Sequence, residues 1–121
     1  MTKYKEINDY VGYADIDAMK KYGIKITKTG RGDPHWVIGT IKGRKFEAKV
    51  YSEPSDFGLY NGRISKLFIA RDKSLGLSNT IYQYDRGSGP STQEGKRLAR
   101  QFLKVFPKSV YWEVKKWKEW N

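Results

Sequence analysis

The stretch Phe46-Glu47-Ala48-Lys49-Val50 decides the fold, because apolar and charged residues alternate through it without a break. A period of two places Phe46, Ala48 and Val50 on one face of a strand and Glu47 and Lys49 on the other, the signature of a half-buried β-strand. Working outward, Lys42-Gly43-Arg44 reads as a short hairpin connection to a preceding strand over His35 to Ile41. On the other side, the turn formers of Ser52 to Gly62 make a long loop. A third strand follows over Arg63 to Arg71, where Leu67-Phe68-Ile69 puts apolar groups on both faces, and a fourth over Asn79 to Asp85.

Arg86 to Pro90 then ends the sheet, and Ser91-Thr92-Gln93-Glu94 has the capping-box pattern of a helix start. Leu98, Ala99, Phe102, Leu103, Val105 and Phe106 fall in one helical arc, with Lys96, Arg97, Arg100 and Lys104 in the opposite one. Pro107 ends this helix.

Upstream, Thr29 to Pro34 is a strong break. The first thirty residues read as helical pieces: Tyr4, Ile7, Tyr10 and Val11 recur at helical spacing, and Asp15 caps a short helix that Gly23 ends, before a short strand at Ile24 to Thr27. The expected architecture is α+β: a four-stranded antiparallel sheet, a C-terminal amphipathic helix packed on one face, and a short helical N-terminal extension. The chain reads as a single domain, with the extension at 1–30, the core at 35–106 and a Trp-rich tail at 109–121.

Composition narrows the function classes. The 121 residues contain no cysteine, which removes disulfides, thiolate metal sites and cysteine nucleophiles. Eighteen aromatic rings (4 Trp, 9 Tyr, 5 Phe) argue for a folded, ring-rich core despite a hydrophobic content of only 38%. No apolar run approaches membrane-spanning length, and Met1 to Glu6 has no apolar stretch behind its charges, so a cytoplasmic protein with no membrane partner is expected. The net charge is +11 and rises along the chain, from +2 over residues 1–34 to +4 over 35–90 and +5 over 91–121. An excess of this size attracts polyanions.

Catalytic signals are thin, and a non-enzyme without cofactor or resident metal is expected. His35 is the one histidine, no Gly-x-Ser-x-Gly elbow exists, and Gly30-Arg31-Gly32 lacks the context of a phosphate loop. Asp33 before one strand and Glu47-Ala48-Lys49 on the next resemble the carboxylates and lysine of a Mg²⁺-dependent nuclease, and are equally the turn and solvent face of an ordinary strand pair.

The binding signals are broader. Lys96, Arg97, Arg100 and Lys104 form a cationic helix face, and Arg63, Lys66 and Arg86 extend it across the sheet edge as groups that would track phosphates. Tyr51, Tyr82 and Tyr84 could stack on unpaired bases, although Tyr82 and Tyr84 also suit a core under the helix. Trp112, Trp117 and Trp120, interleaved with lysines, suit core packing or a partner contact, together with the loop from Pro54 to Gly62.

Trp36 to Ile41, Phe46 to Tyr51, Ser55-Asp56-Phe57-Gly58, Asn61-Gly62-Arg63-Ile64-Ser65-Lys66-Leu67 and Tyr84-Asp85-Arg86-Gly87 together resemble an uncharacterised family of small phage and prophage proteins, over residues 35–106. The resemblance implies no activity. It implies an origin in a mobile element and action in a bacterial cytoplasm, and it makes residues 1–30 and the Trp-rich tail additions to the family core. Arg63, Ser65, Lys66, Asp85 and Arg86 match the family pattern. Four strands followed by a helix is also the element order of whirly-like single-strand-binding domains, an analogy of fold alone.

The sequence thus points to a non-catalytic accessory protein that binds nucleic acid or a nucleoprotein, with inhibition of a host defence complex, in anti-CRISPR fashion, as its setting. The alternatives are a protein-binding inhibitor anchored by the tryptophans and the 54–62 loop, and a nuclease built on Asp33, Glu47 and Lys49.

Overall fold

The computed structural model describes residues 3–30, 32–72, 79–85 and 91–108. Seven strands and two helices run in the order β1 (Tyr4–Asn8), β2 (Gly12–Asp15), α1 (Ile16–Tyr22), β3 (Ile24–Thr29), β4 (Trp36–Ile41), β5 (Arg44–Val50), β6 (Ile64–Ala70), β7 (Thr80–Asp85) and α2 (Gln93–Val105), with a 3₁₀ turn at Leu59–Asn61. The class is α+β, but the sheet has five strands, not four. Its order is β3-β4-β5-β6-β7, antiparallel throughout, and β1 and β2 form a separate two-stranded hairpin.

Two corrections produce that difference. The segment Tyr4 to Val11 is a hairpin arm and turn, not a helix. The Asn8 carboxamide oxygen accepts from the amides of Tyr10 (2.9 Å) and Val11 (2.8 Å), and Gly12 takes φ 82°, so the chain reverses before a helical turn can close. The strand at Ile24 runs on to Thr29 and joins the main sheet as its edge, pairing with β4 from Ile24↔Ile41 to Thr29↔Val37. Gly39 permits that pairing, since a Cβ there would lie 1.8 Å from the Lys25 carbonyl oxygen. The analogy with four-stranded single-strand-binding domains has no support in this architecture.

Between these elements the local signals hold. The Asp15 side chain accepts from the Ala18 amide and Gly23 ends α1 at φ 67°. In β5 the alternation is realised, with Phe46, Ala48 and Val50 fully buried and Glu47 and Lys49 half-exposed. Helix α2 begins one residue later than the capping box implies: Thr92 is the cap, its hydroxyl accepting from the Gly95 amide at 2.9 Å. That shift frees Glu94, whose carboxylate meets the Arg44 guanidinium at 2.7 Å.

One face of the sheet carries the core. Leu98, Ala99, Phe102 and Val105 of α2 and Phe106 at its C-cap pack on it, and the Phe102 ring meets Phe46 edge to face at 4.7 Å. Val11, Ala14 and Ala18 of the N-terminal module close the same core, so residues 3–22 are an integral part of the domain and not an appendage. Gly95 brings α2 onto β7 so closely that a Cβ would lie 2.3 Å from the Ile81 carbonyl oxygen. No helix among the described residues is long and apolar enough to cross a membrane.

Candidate nucleic-acid interface

The cationic face foreseen on α2 is present. Lys96, Arg97, Arg100 and Lys104 are all exposed, and among the described residues no carboxylate is paired with any of them. The acidic residue of α2, Glu94, is already committed to Arg44. From Lys96 to Lys104 the helix rises about 12 Å, so the four cations form a stripe of that length along the surface. Lys108 is also exposed, just beyond the C-terminal end of α2.

The rest of the anticipated phosphate track is not built. Arg63, expected at the surface, is 1% exposed and has no carboxylate partner among the described residues. Its guanidinium donates instead to four backbone carbonyls: Nε to Tyr51 (2.9 Å), Nη1 to Pro107 (3.2 Å), and Nη2 to Val11 (2.7 Å) and Tyr13 (2.9 Å). The Phe106 ring covers it at 5.7 Å. Burial pushes its pKa down to about 10, so the group stays charged at neutral pH. A planar donor fork is what joins four converging carbonyls; four of its five N–H groups are used, and burial keeps the group away from a phosphate. Lys66 lies 3.7 Å from the Asp85 carboxylate on the face of the sheet opposite α2. Arg86, Trp112, Trp117 and Trp120 lie outside the described residues.

The tyrosines divide. Tyr82 is 7% exposed beneath α2, and burial raises its phenol to about 12, so it belongs to the core. Tyr84 is half-buried and donates to the Phe57 carbonyl at 3.0 Å. Tyr51 is exposed and stacks on His35 with ring centres 4.0 Å apart, while Tyr10 meets His35 edge-on with ring centres 5.5 Å apart. Sequence reasoning missed Tyr10 and His35 as partners of Tyr51, since they come from a hairpin turn and a loop far apart in the chain. The imidazole is fixed by its Nδ1, 3.1 Å from the Val50 carbonyl oxygen, which makes Nδ1 the protonated nitrogen of the neutral ring.

The residues of the nuclease alternative sit as follows. Lys49 Nζ is 3.1 Å from Asp33 Oδ2, and Asp33 Oδ1 accepts from the His35 amide. That amide, followed by the lysine, holds the Asp33 carboxyl below the ordinary carboxylate range; Asp33 in turn holds the Lys49 ammonium above its own. Glu47 stands two residues along β5, opposite Ile38 and Phe68. The described residues contain no group of three or more His, Asp or Glu side chains placed to hold a metal ion. The cation nearest the carboxylates is therefore neutralised by one of them.

Compared with known families, residues 35–107 match the DUF7678 model, a domain of unknown function. That is more than half of the chain, and the protein belongs to this family. The matched region begins at the head of β4 and ends just past α2, so β1, β2, α1 and β3 lie outside it although they complete its sheet and its core. No curated protein and no solved structure matches the chain.

Proposed function

We propose that this protein is a non-catalytic nucleic-acid-binding domain whose contact surface is the outer face of α2. The single observation that carries the reading is the row Lys96, Arg97, Arg100 and Lys104, exposed and without a carboxylate partner among the described residues. Four cations along about 12 Å of helix match a short stretch of phosphate backbone in charge and in scale. The net charge of +11 adds a long-range attraction. The proposed setting is action on a nucleic acid or nucleoprotein of a bacterial host defence system by a mobile-element protein in the cytoplasm, carried over from the resemblance to phage proteins.

The test is the triple substitution Arg97→Glu, Arg100→Glu and Lys104→Glu. Fluorescence anisotropy should show at least a tenfold loss of affinity for single-stranded and duplex oligonucleotides alike, and a salt dependence shallower by about three phosphate contacts. Unchanged affinity would defeat the proposal.

A second reading, a protein-binding inhibitor, is favoured by the loop between β5 and β6. Phe57 is 73% exposed and Tyr60 56% exposed there, on a frame closed by the Ser55 amide donating to the Gly62 carbonyl at 3.1 Å. Copurification of a stoichiometric partner that survives nuclease treatment would favour it.

A further inference from the structure

The four large hydrophobic side chains that stand exposed among the described residues are Tyr10, Tyr51, Phe57 and Tyr60. They come from the β1–β2 turn, the residue after β5 and the loop leading to β6, yet they gather at one end of the molecule. The Arg63 guanidinium defines that end, because it binds the carbonyls of Val11, Tyr51 and Pro107 together. Val11 follows Tyr10, and Pro107 follows the last turn of α2. The C-terminal end of α2, next to Lys104, therefore lies at that same end. Folded domains seldom gather unpartnered rings at the surface without a use for them.

We infer that this cluster is a stacking subsite for unpaired bases, and that the ligand is single-stranded nucleic acid whose phosphates follow α2 while a base rests on the Tyr10–His35–Tyr51 rings. The inference rests on the proposed function and narrows it from nucleic acid in general to a single strand. Three observations support it. The rings are pre-ordered: His35 is anchored through Nδ1 to Val50 and through its amide to Asp33, so ordering them costs little on binding. The Asp33–Lys49 pair flanks the stack and helps to hold it, with Lys49 Nζ 3.1 Å from Asp33 Oδ2 and 5.9 Å from the Tyr51 ring centre. The bases of a duplex are already stacked and paired, and cannot reach such rings without being pulled out, whereas a single strand offers a free π-face at every nucleotide.

The experiment compares a fluorescein-labelled oligothymidylate of about 20 nucleotides with a duplex of equal length. Tyr10→Ala with Tyr51→Ala should weaken the oligothymidylate by about tenfold or more and leave the duplex unchanged. Tyr10→Phe with Tyr51→Phe, which keeps both rings, should bind as the unaltered protein does. On the unaltered protein, photocrosslinking to an oligonucleotide carrying 5-iodouracil should label Tyr10, Tyr51, Phe57 or Tyr60, a result that does not depend on whether the alanine variant folds. Equal losses for both ligands, no loss for the single strand, or crosslinks confined to α2 would overturn the inference. If charge reversal on α2 abolishes binding while the ring substitutions change nothing, this inference alone falls; if the unaltered protein binds neither ligand, the proposed function falls with it.

Discussion

Arg63 and the arginines of α2 are the same residue type in opposite surroundings. Arg63 is sealed between β6, the hairpin turn and the end of α2, and spends its donors on four carbonyls. Arg97 and Arg100 project from the outer face of a helix whose one carboxylate is engaged elsewhere. The contrast separates two uses of positive charge. Buried, the guanidinium is a fastener that joins the family core to the N-terminal module; exposed, it is available to a polyanion. A net charge counts both alike, so the surface excess is smaller than the composition suggests.

The largest expected effect lies on the buried side of that contrast. Arg63→Met removes the shared donor from four carbonyls and should cost about 4 kcal/mol, read as a lower urea midpoint with an unchanged slope. Arg63→Lys should recover less than half of the loss, because an ammonium cannot span the four acceptors. A fully stable Arg63→Met protein would show that the hairpin is held by apolar packing alone.

Gly95→Ala is next. Alanine is the better helix former, but its Cβ would collide with the Ile81 carbonyl, 2.3 Å away, and with Tyr82. A net loss of about 2 kcal/mol is expected, measured as a drop in Tm. A gain in Tm would mean that α2 can rise from β7 without penalty. On the exposed side, the triple charge reversal on α2 should leave stability within about 0.5 kcal/mol while removing binding, the inverse of the Arg63 result.

The smallest effect concerns Asp33. Its folded pKa is depressed, so its contribution is present above the ordinary carboxylate value and is lost as pH falls through the lower folded midpoint. Lys49 is raised, so its share is present below the ordinary ammonium value and is lost as pH rises through the higher one. An NMR titration of the Asp33 carboxyl should therefore find a midpoint below the usual range. Lys49→Met should restore only part of the shift, because the His35 amide is its larger cause. Complete restoration would assign the whole effect to the lysine.

Much of the local structure was legible in the residues themselves. The alternation in Phe46 to Val50, the Asp15 cap, the Gly23 terminus and the apolar arc of α2 all appear as read, because each depends on neighbours within a few positions. The misreadings are those in which spacing was ambiguous. Tyr4, Ile7, Tyr10 and Val11 fit a helical period, yet the Asn8 side chain and Gly12 impose a turn. Ile24 to Thr27 reads as an isolated short strand because its partner β4 lies across the break at residues 29–34. Of the candidate site, the α2 stripe was visible as an arc of charge, whereas the fate of Arg63 and the meeting of Tyr10, His35 and Tyr51 were not.

Alone, the chain's order of residues determined which segments are amphipathic, where α2 presents its charge, and that the molecule as a whole is strongly basic. Only the tertiary structure decided that Arg63 is interior, that a fifth strand completes the sheet, and that rings from three segments share one surface. The physical reason is range. Periodicity and capping act over one or two turns of chain, while burial and ring contact depend on residues dozens of positions apart, and nothing in a local pattern records which of them will meet.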